Sequence, residues 1–357
     1  MIAAVALSNE ALVERLDDAP ESLAQTHAEF TRLLMAHGIL VHADASDRES
    51  FIAAIKELGK RAPDAGKHWE AVVTDGRWCT AREPTPEPVD TMEKLTAFRT
   101  QWGRLLDIAF MEQTRAELFG CPSDEMAWRE PETGVEIARL GANWHTQTFD
   151  QLRRLADRHT IGPGTDRDTL AKERFQPLFI RSKRFTIVDQ WLGRGVAQHH
   201  FGDRGASAWL NEGPHELEWL LRLVDQHADG ATVSVLTTYD DGQDAGSVTR
   251  EDVVAAFADV WKRTPLTGGL DRLQLFVGPR QAGFGKARQR FPHDRHIRFD
   301  VGVGFGLSAG FDRLRFACLD NAETWRLTYL WKPEDIRGLI EDENCARRLA
   351  GEVQAWE

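Results

Sequence analysis

The N-terminal part of the chain alternates short apolar runs with stretches in which apolar residues recur every three or four positions. Ile2 to Leu7 is a short apolar run, and Ser8-Asn9 after it can cap a helix that runs through Leu16. Glu21 to His37 carries its apolar residues on one stripe, which predicts a second helix. A strand at 39–41 and a helix from Asp47 follow. Strands alternating with helices indicate the α/β class.

A long helix is predicted farther along this half. Alternate prolines at Pro84, Pro86 and Pro88 forbid regular structure and indicate a surface loop. From Met92 to Leu118 the apolar residues return at helical spacing, and Gly120 is a typical residue just after a helix. We therefore expect one long helix over this stretch.

Strands and helices also alternate in the C-terminal half, where Arg184 to Val188 forms a buried strand that ends in the carboxylate of Asp189. That order implies right-handed crossovers and parallel strands up to Val277, and after it the helices give way to consecutive strands. Around these segments the pattern predicts strands at 135–140, 231–237, 273–277, 296–303, 314–319 and 325–330, and helices at 149–155, 168–180, 212–227, 249–261 and from 334.

The chain is long enough for two domains. The predicted class is α/β, with a mixed sheet and flanking helices in the C-terminal domain and a smaller mixed α/β domain before it. The predicted boundaries are 1–125 for an N-terminal domain of unknown role, 126–183 for a connector with helices, and 184–357 for the C-terminal domain.

Composition narrows the class of protein without identifying a function. A hydrophobic content of 42% with 28% charged residues is that of a globular protein. No apolar run approaches the roughly 18 residues of a membrane-spanning helix, and the N-terminus lacks a basic leader, so the protein is predicted to be cytoplasmic with no membrane span. The four cysteines are scattered, which favours reduced thiols over a zinc site or disulfides. The twelve tryptophans are expected in the core rather than in a base-stacking platform.

Charge points to one segment. The net charge of −12 disfavours a protein that coats a polyanion with its whole surface. Between 280 and 298, however, basic residues outnumber the single acid, Asp294. Such a run is either a solvated loop or a local phosphate-binding surface. The basic residues are Arg280, Lys286, Arg288, Arg290, Arg295 and Arg298.

This segment contains the spacing His293-x-Arg295-x4-Asp300, followed by Gly306 and Ser308. An imidazole can attack phosphorus or protonate a leaving oxygen, and a guanidinium beside it binds the non-bridging oxygens. A carboxylate can orient the imidazole, and a glycine-rich turn with a serine hydroxyl adds uncharged donors. On a strand that starts near His293, alternation sends His293 and Arg295 to one face. None of these steps requires a metal or a cofactor, and none is predicted.

The pattern resembles the H-x-K-x4-D signature of the phospholipase D superfamily. The stretch from Phe185 to Trp331 is similar to single-motif phospholipase D-like domains, including the domain that follows MIT domains. The resemblance implies a phospholipase D-like fold for 184–357, with His293 as nucleophile or general acid. It implies Arg295 and Ser308 as phosphate ligands and Asp300 as their support.

Two departures from the family pattern define the alternatives. Arg295 stands where the family has lysine, and the chain carries one motif where the family completes its site with two. A single motif implies either a homodimer that brings two His293 side chains together, or a domain that binds without cleaving. The first alternative is a metal-independent phosphodiesterase or nuclease with a phosphohistidine mechanism. The second is a non-catalytic module that binds phosphate, nucleic acid or a partner.

Further residues complete the candidate site. Asp189, Arg290, Arg298 and Gly306 are candidates for substrate binding, although Asp189 at a strand end can equally cap a loop. In the homodimer, the motif strands would form the interface. We then expect the partner subunit to cover Phe299, Phe305 and Phe311.

Overall fold

The computed structural model of the protein describes residues 2–13, 20–42, 45–74, 78–80, 106–131, 133–140, 146–201, 216–240, 247–282, 289–314, 324–351 and 353–357. The chain divides into two compact units, Met1–Asp157 and Arg158–Glu357. The boundary differs from the predicted one, because the expected connector at 126–183 is split between the units. Its first part adds two strands and a helix to the first unit, and its second part covers the sheet of the second.

The first unit is a sheet flanked by helices. The chain begins in its middle strand, adds two strands on one side and then continues on the other, in the order β3-β2-β1-β4-β6-β5. All neighbours are parallel except β5 and β6. Its strands are β1 (Ala3–Leu7), β2 (Gly38–His42), β3 (Trp78–Thr80), β4 (Ile108–Phe110), β5 (Ala127–Arg129) and β6 (Glu136–Ala138). Its helices are α1 (Asn9–Val13), α2 (Pro20–His37), α3 (Ala45–Arg61), α4 (Pro63–Thr74), α5 (Gln113–Leu118) and α6 (Gln147–Asp157).

Most elements predicted for this unit are confirmed, and one is wrong. The predicted long helix from Met92 to Leu118 contains the buried strand β4 and is helical only in α5; its part at 92–105 and the proline loop lie outside the described residues. A strand that is buried on both faces loses the alternation of apolar and polar residues. A short apolar run such as Ile108-Ala109-Phe110 therefore fits a helix as well as a strand.

The second unit contains a mixed sheet in the order β16-β10-β9-β8-β13-β14-β15-β7. Its strands are β7 (Thr160–Ile161), β8 (Arg184–Val188), β9 (Ala231–Tyr239), β10 (Leu270–Pro279), β13 (Arg295–Phe299), β14 (Val303–Leu307), β15 (Trp325–Leu330) and β16 (Val353–Trp356), with a separate hairpin of β11 (Gln281–Ala282) and β12 (Gln289–Arg290). Its helices are α7 (Arg167–Arg174), α8 (Gln176–Phe179), α9 (Leu192–Phe201), α10 (Glu216–His227), α11 (Arg250–Arg263) and α12 (Pro333–Ala350). None of the helices in the described parts of the chain is both long and apolar enough to cross a membrane.

The two halves of this sheet differ in direction, as the sequence pattern predicts. β8, β9 and β10 are parallel and are connected through helices, whereas β13, β14 and β15 are antiparallel neighbours. The mixed α/β class is therefore confirmed. The predicted strand at 296–303 is two strands joined by a tight turn at Gly302, whose φ of 76° favours glycine. The predicted strand at 314–319 lies outside the described residues except for Leu314, which ends a 3-10 helix.

An aromatic cluster fills the core between the sheet and α7–α8. Phe179 packs against both Phe185 and Phe299, and Phe175 packs against Phe305. Phe299, Phe305 and Phe311 are 0%, 0% and 2% exposed within one chain. The expectation that a partner subunit covers these three side chains is therefore wrong, because the unit's own helices already bury them.

Candidate phosphate-binding site

The site is built around Asp189, which follows the last residue of β8. Its carboxylate is 1% exposed and accepts hydrogen bonds from the backbone of Trp191 at 2.9 Å and of Phe311 at 3.0 Å. A buried carboxylate is stable only where donors and cations surround it. Asp189 thus links the start of α9 to the 3-10 helix at Phe311–Leu314, which is the loop-capping role predicted as its alternative. It also lies close to the side chain of an arginine.

That arginine is Arg295, the first residue of β13. Because β13 runs antiparallel to β8 with His296 opposite Val188, Arg295 lies beside Asp189 across the sheet. Its Nε atom is 3.6 Å from Asp189 Oδ1, and its Nη1 atom donates to the carbonyl of Ser308 at 3.4 Å. Its Nε–H makes no hydrogen bond in the described structure. The guanidinium is held in place while most of its five donors stay available.

Ser308 directly follows β14, in the turn whose backbone lies next to Arg295. The residue is exposed, and its Oγ atom accepts a hydrogen bond from the backbone of Arg326 at 2.9 Å. That bond leaves the hydroxyl proton for another acceptor. Arg295 therefore contacts the backbone of Ser308, and the Ser308 hydroxyl faces the backbone of Arg326. Gly306, a predicted substrate-binding residue, lies within β14 and pairs with His296 of β13. A Cβ atom at Gly306 would lie 3.7 Å from Leu330 Cδ1, an ordinary contact distance, so the local packing does not require glycine there.

His293 lies just before β13 rather than on it. The residue is exposed and makes no hydrogen bond or ion pair with any described residue. Side chains alternate between faces only within a strand. Because His293 lies outside β13, alternation does not place it on the same face as Arg295. Arg290, another predicted ligand, is exposed on β12.

Asp300 does not occupy the predicted position. It follows the last residue of β13, so the whole strand, about 16 Å long at 3.3 Å per residue, separates it from the end near His293. Its carboxylate accepts from the backbone of Lys183 at 3.2 Å and lies 3.8 Å from Arg184 Nε. Burial raises the pKa of Asp300, and Arg184 partly offsets this effect. The expectation that Asp300 orients the imidazole is wrong, since linear spacing does not show where a strand ends.

Arg298 also has a structural partner. Its Nε and Nη2 atoms donate to the two carboxylate oxygens of Glu343 on α12 at 2.5 and 2.8 Å. Burial would raise the pKa of Glu343, but Arg298 and His296 together outweigh it and lower that pKa. His296, one of the buried residues on the same face, has its Nε2 atom 3.9 Å from Glu343. Arg298 therefore attaches α12 to the sheet rather than facing Arg295, and it does not fit the predicted ligand role.

Arg280 from the basic segment and three residues without a predicted role, Trp191, Arg194 and Asp240, complete this edge of the sheet. Asp240 directly follows β9, and Arg280 directly follows β10, with Pro279 and Tyr239 paired between them. Arg280 Nη2 is 3.1 Å from Asp240 Oδ1, and Arg194 Nε is 3.8 Å from Asp240 Oδ2. The Arg280 guanidinium lies over the Trp191 ring, 3.9 Å from its centroid. Parallel strands place functional groups at their carboxyl ends, and this rule, applied to each strand, would have found them.

The corresponding edge of the first unit has polar groups that satisfy one another. Ser8, after β1, donates to Glu112, after β4, at 3.1 Å. Arg115 on α5 pairs with Glu112 at 3.0 Å and with Glu10 at 3.7 Å. In the described residues of either unit, no three His, Cys, Asp or Glu side chains are grouped as ligands for a metal ion.

Comparison with known proteins adds no family to this picture. No protein-family model matches the sequence, and no curated protein matches it.

Proposed function

We propose that the C-terminal unit, as a phospholipase D-like domain, binds a phosphate diester at this edge of the sheet and does not cleave it. The observation that carries the proposal is the anchored guanidinium of Arg295, which lies next to the Ser308 turn. Planar guanidinium groups bind phosphate oxygens through two parallel hydrogen bonds. The hydroxyl of Ser308 supplies an uncharged donor from the same turn.

Binding without cleavage is favoured by the chemistry that one motif provides. Histidine-based cleavage needs one imidazole for attack and a second to protonate the leaving oxygen. Asp300 lies at the other end of β13, so it does not hold the single imidazole of His293 in one tautomer. The phenylalanines of the expected dimer interface belong to the core of one chain.

A second candidate function is the metal-independent phosphodiesterase or nuclease that pairs two copies of His293 in a homodimer. One observation favours it: His293 is exposed and has no polar partner among the described residues, so it is accessible to a second chain. The two functions differ in oligomeric state and in turnover, and both can be measured.

The test uses a fluorescent abasic oligonucleotide, a sugar-phosphate chain without bases, and measures anisotropy with the full-length protein. Arg295→Gln is expected to weaken binding by about tenfold or more, because a hydrogen bond to a charged group contributes roughly 1.5–3 kcal/mol. Arg222→Gln on α10 is the matched control, since Arg222 is an exposed arginine that pairs with Glu218. We expect it to bind like the wild type.

Cleavage of bis-p-nitrophenyl phosphate and sedimentation at micromolar concentration decide between the two candidates. A monomer that binds the abasic strand and releases no nitrophenol is expected. A dimer whose nitrophenol release disappears in His293→Ala would instead establish the phosphodiesterase. Equal affinities of wild type and Arg295→Gln would refute phosphate recognition by Arg295.

A further inference from the structure

We infer that the phosphate diester belongs to a single-stranded nucleic acid, and that Trp191 and Arg280 form a platform on which one of its bases stacks. The inference rests on the proposed function and names the class of its ligand. It is carried by the aromatic and cationic groups that surround the carboxyl ends of β8, β9 and β10.

The platform is an aromatic ring and a planar cation in contact. Trp191 is 36% exposed and the Arg280 side chain 31% exposed, so both are partly open to solvent. Tryptophan rings and guanidinium planes are the two surfaces on which proteins stack unpaired bases. A stack of both, open to solvent, presents the flat surface that a nucleobase needs.

Among the tryptophans whose burial the structure describes, Trp191 is the most exposed, and four others are half-buried: Trp128, Trp261, Trp331 and Trp356. Trp325 in β15 and Trp69 in α4 are 1% and 0% exposed, and Trp219 in α10 is 7% exposed with its indole N–H bonded to Asp168. These three belong to cores, as the sequence pattern predicts. Trp191 differs from them, because it follows a strand end and lies at the site.

The platform is fixed before any ligand arrives. Asp240 accepts a hydrogen bond from the backbone of Val248 at 3.1 Å and pairs with Arg280 at 3.1 Å. Trp191 is held from the other side, because its backbone N–H donates to Asp189. Groups that are positioned in advance lose little conformational entropy on binding.

The carboxylate of Asp189 connects the platform to Arg295, the residue proposed to bind the phosphate. Asp189 accepts the Trp191 N–H through Oδ1, and the same oxygen is 3.6 Å from Arg295 Nε. The backbone of the base-stacking residue and the phosphate-binding arginine therefore contact one buried carboxylate. A nucleotide offers a flat base and a phosphate on one sugar, which matches this arrangement.

Other carriers of a phosphate diester match it less well. A phospholipid headgroup has no planar ring to stack on Trp191. Duplex nucleic acid keeps its bases stacked on one another, so only an unpaired strand can present one to the platform.

The experiment compares two fluorescent oligonucleotides of equal length, one of deoxythymidine and one abasic, by anisotropy with the full-length protein. An RNA strand of uridine is a third arm that separates RNA from DNA. The wild type is expected to bind the base-containing strands about 5- to 100-fold more tightly than the abasic strand, the range for one stacked base. Trp191→Ala should reduce this ratio to near one, and Trp191→Phe should keep part of it.

Phe201→Ala is the control, since Phe201 is an exposed aromatic residue at the end of α9, 45% accessible. It should keep the wild-type ratio. A wild type that binds both strands equally, or a preference that survives Trp191→Ala, overturns the base platform. In either case the proposed function stands if abasic binding still depends on Arg295.

Vesicles of phosphatidylcholine with phosphatidylglycerol test the other source of a diester. Binding to these vesicles that depends on Arg295, without binding to the oligonucleotides, overturns the nucleic-acid inference and keeps the proposed function. Binding to none of the probes overturns both.

Discussion

At the residue scale, buried carboxylates organise the second unit. Asp189 accepts hydrogen bonds from two backbone N–H groups that lie far apart in sequence. Asp225, at 6% exposure on α10, accepts from Thr267, Gly268, Gly269 and Leu270 in the loop before and into β10. In both cases the carboxylate accepts hydrogen bonds from backbone N–H groups that are shielded from water and would otherwise have no acceptor.

Asp225 predicts a pH dependence of stability. Burial alone would raise its pKa, but the hydrogen bonds from the loop outweigh burial and lower the pKa. Because the folded pKa lies below the unfolded one, the stabilisation is complete above the unfolded pKa, about 3.9, and is lost as pH falls through the folded value. Asp225→Asn should therefore flatten the acid limb of stability measured by urea unfolding between about pH 3 and pH 7. Asp294→Asn, at an exposed aspartate, serves as the control, and parallel profiles for Asp225→Asn and wild type would contradict the prediction.

At this scale a site residue is predictable where its side chain directly follows a strand, because spacing along the chain does not give distance in space. Asp189 could be selected because a clearly apolar strand ends in a carboxylate. Asp300 was misplaced because a spacing of residues does not reveal that β13 lies between it and His293. Asp240 and Arg280 follow strands in the same way as Asp189, but only the register of β9 and β10 shows that they meet.

At the element scale, the position of α9 depends on how closely its first turn approaches β9. Gly193 donates its backbone N–H to Thr237 Oγ1 at 2.8 Å. A Cβ atom there would lie 2.8 Å from Thr237 Cγ2 and 2.9 Å from the Thr238 carbonyl oxygen. The helix can start at this point, next to Asp189 and Trp191, only because the residue has no side chain.

A pair of glycine substitutions tests this packing. Gly193→Ala should destabilise the protein by about 1–3 kcal/mol, the cost of overpacking against a backbone that cannot move away. Gly338→Ala on α12 is the matched control, because Gly338 is exposed and a Cβ atom there meets nothing within 4 Å. It should stabilise by roughly 0.8–1 kcal/mol through helix propensity alone. Chemical denaturation measures both, and a loss of stability in Gly338→Ala as large as in Gly193→Ala would disprove the packing argument.

Elements with a clear period were predictable, and elements without one were not. The capping box of Thr249 and Asp252 begins α11 where the sequence places it. β4 was taken for part of a helix because its three residues are buried on both faces and show no period. The short strands β3 and β5 gain their stability from neighbours in the sheet, which a local pattern does not contain.

At the scale of the whole molecule, the chain consists of two units with separate sheets. The second begins at Arg158, well before the predicted boundary at 184. The difference arises because α7 and α8 carry Phe175 and Phe179 into the aromatic core. A sequence pattern identifies apolar helices, but it does not show which sheet they cover.

Two fragments test where the second unit begins. The fragment 158–357 should fold alone and unfold cooperatively, because it contains the complete sheet and the helices that cover it. The fragment 184–357 lacks α7 and α8 and should aggregate or lose cooperative unfolding, since Phe185, Phe299 and Phe305 become exposed. Circular dichroism melting and amide NMR spectra measure both outcomes. A cooperative, soluble 184–357 fragment would show that the two helices are dispensable.

The hydrogen bond from Phe311 to Asp189 has a consequence for biosynthesis, because it joins residues 122 positions apart. During translation, Asp189 and Trp191 leave the ribosome long before Arg295, Ser308 and Phe311 are made. Contacts of such large sequence separation form late, after the loop between them has been closed. A nascent chain therefore cannot hold a ligand at this edge until the antiparallel half of the sheet has been added, and binding becomes possible only when the unit is nearly complete.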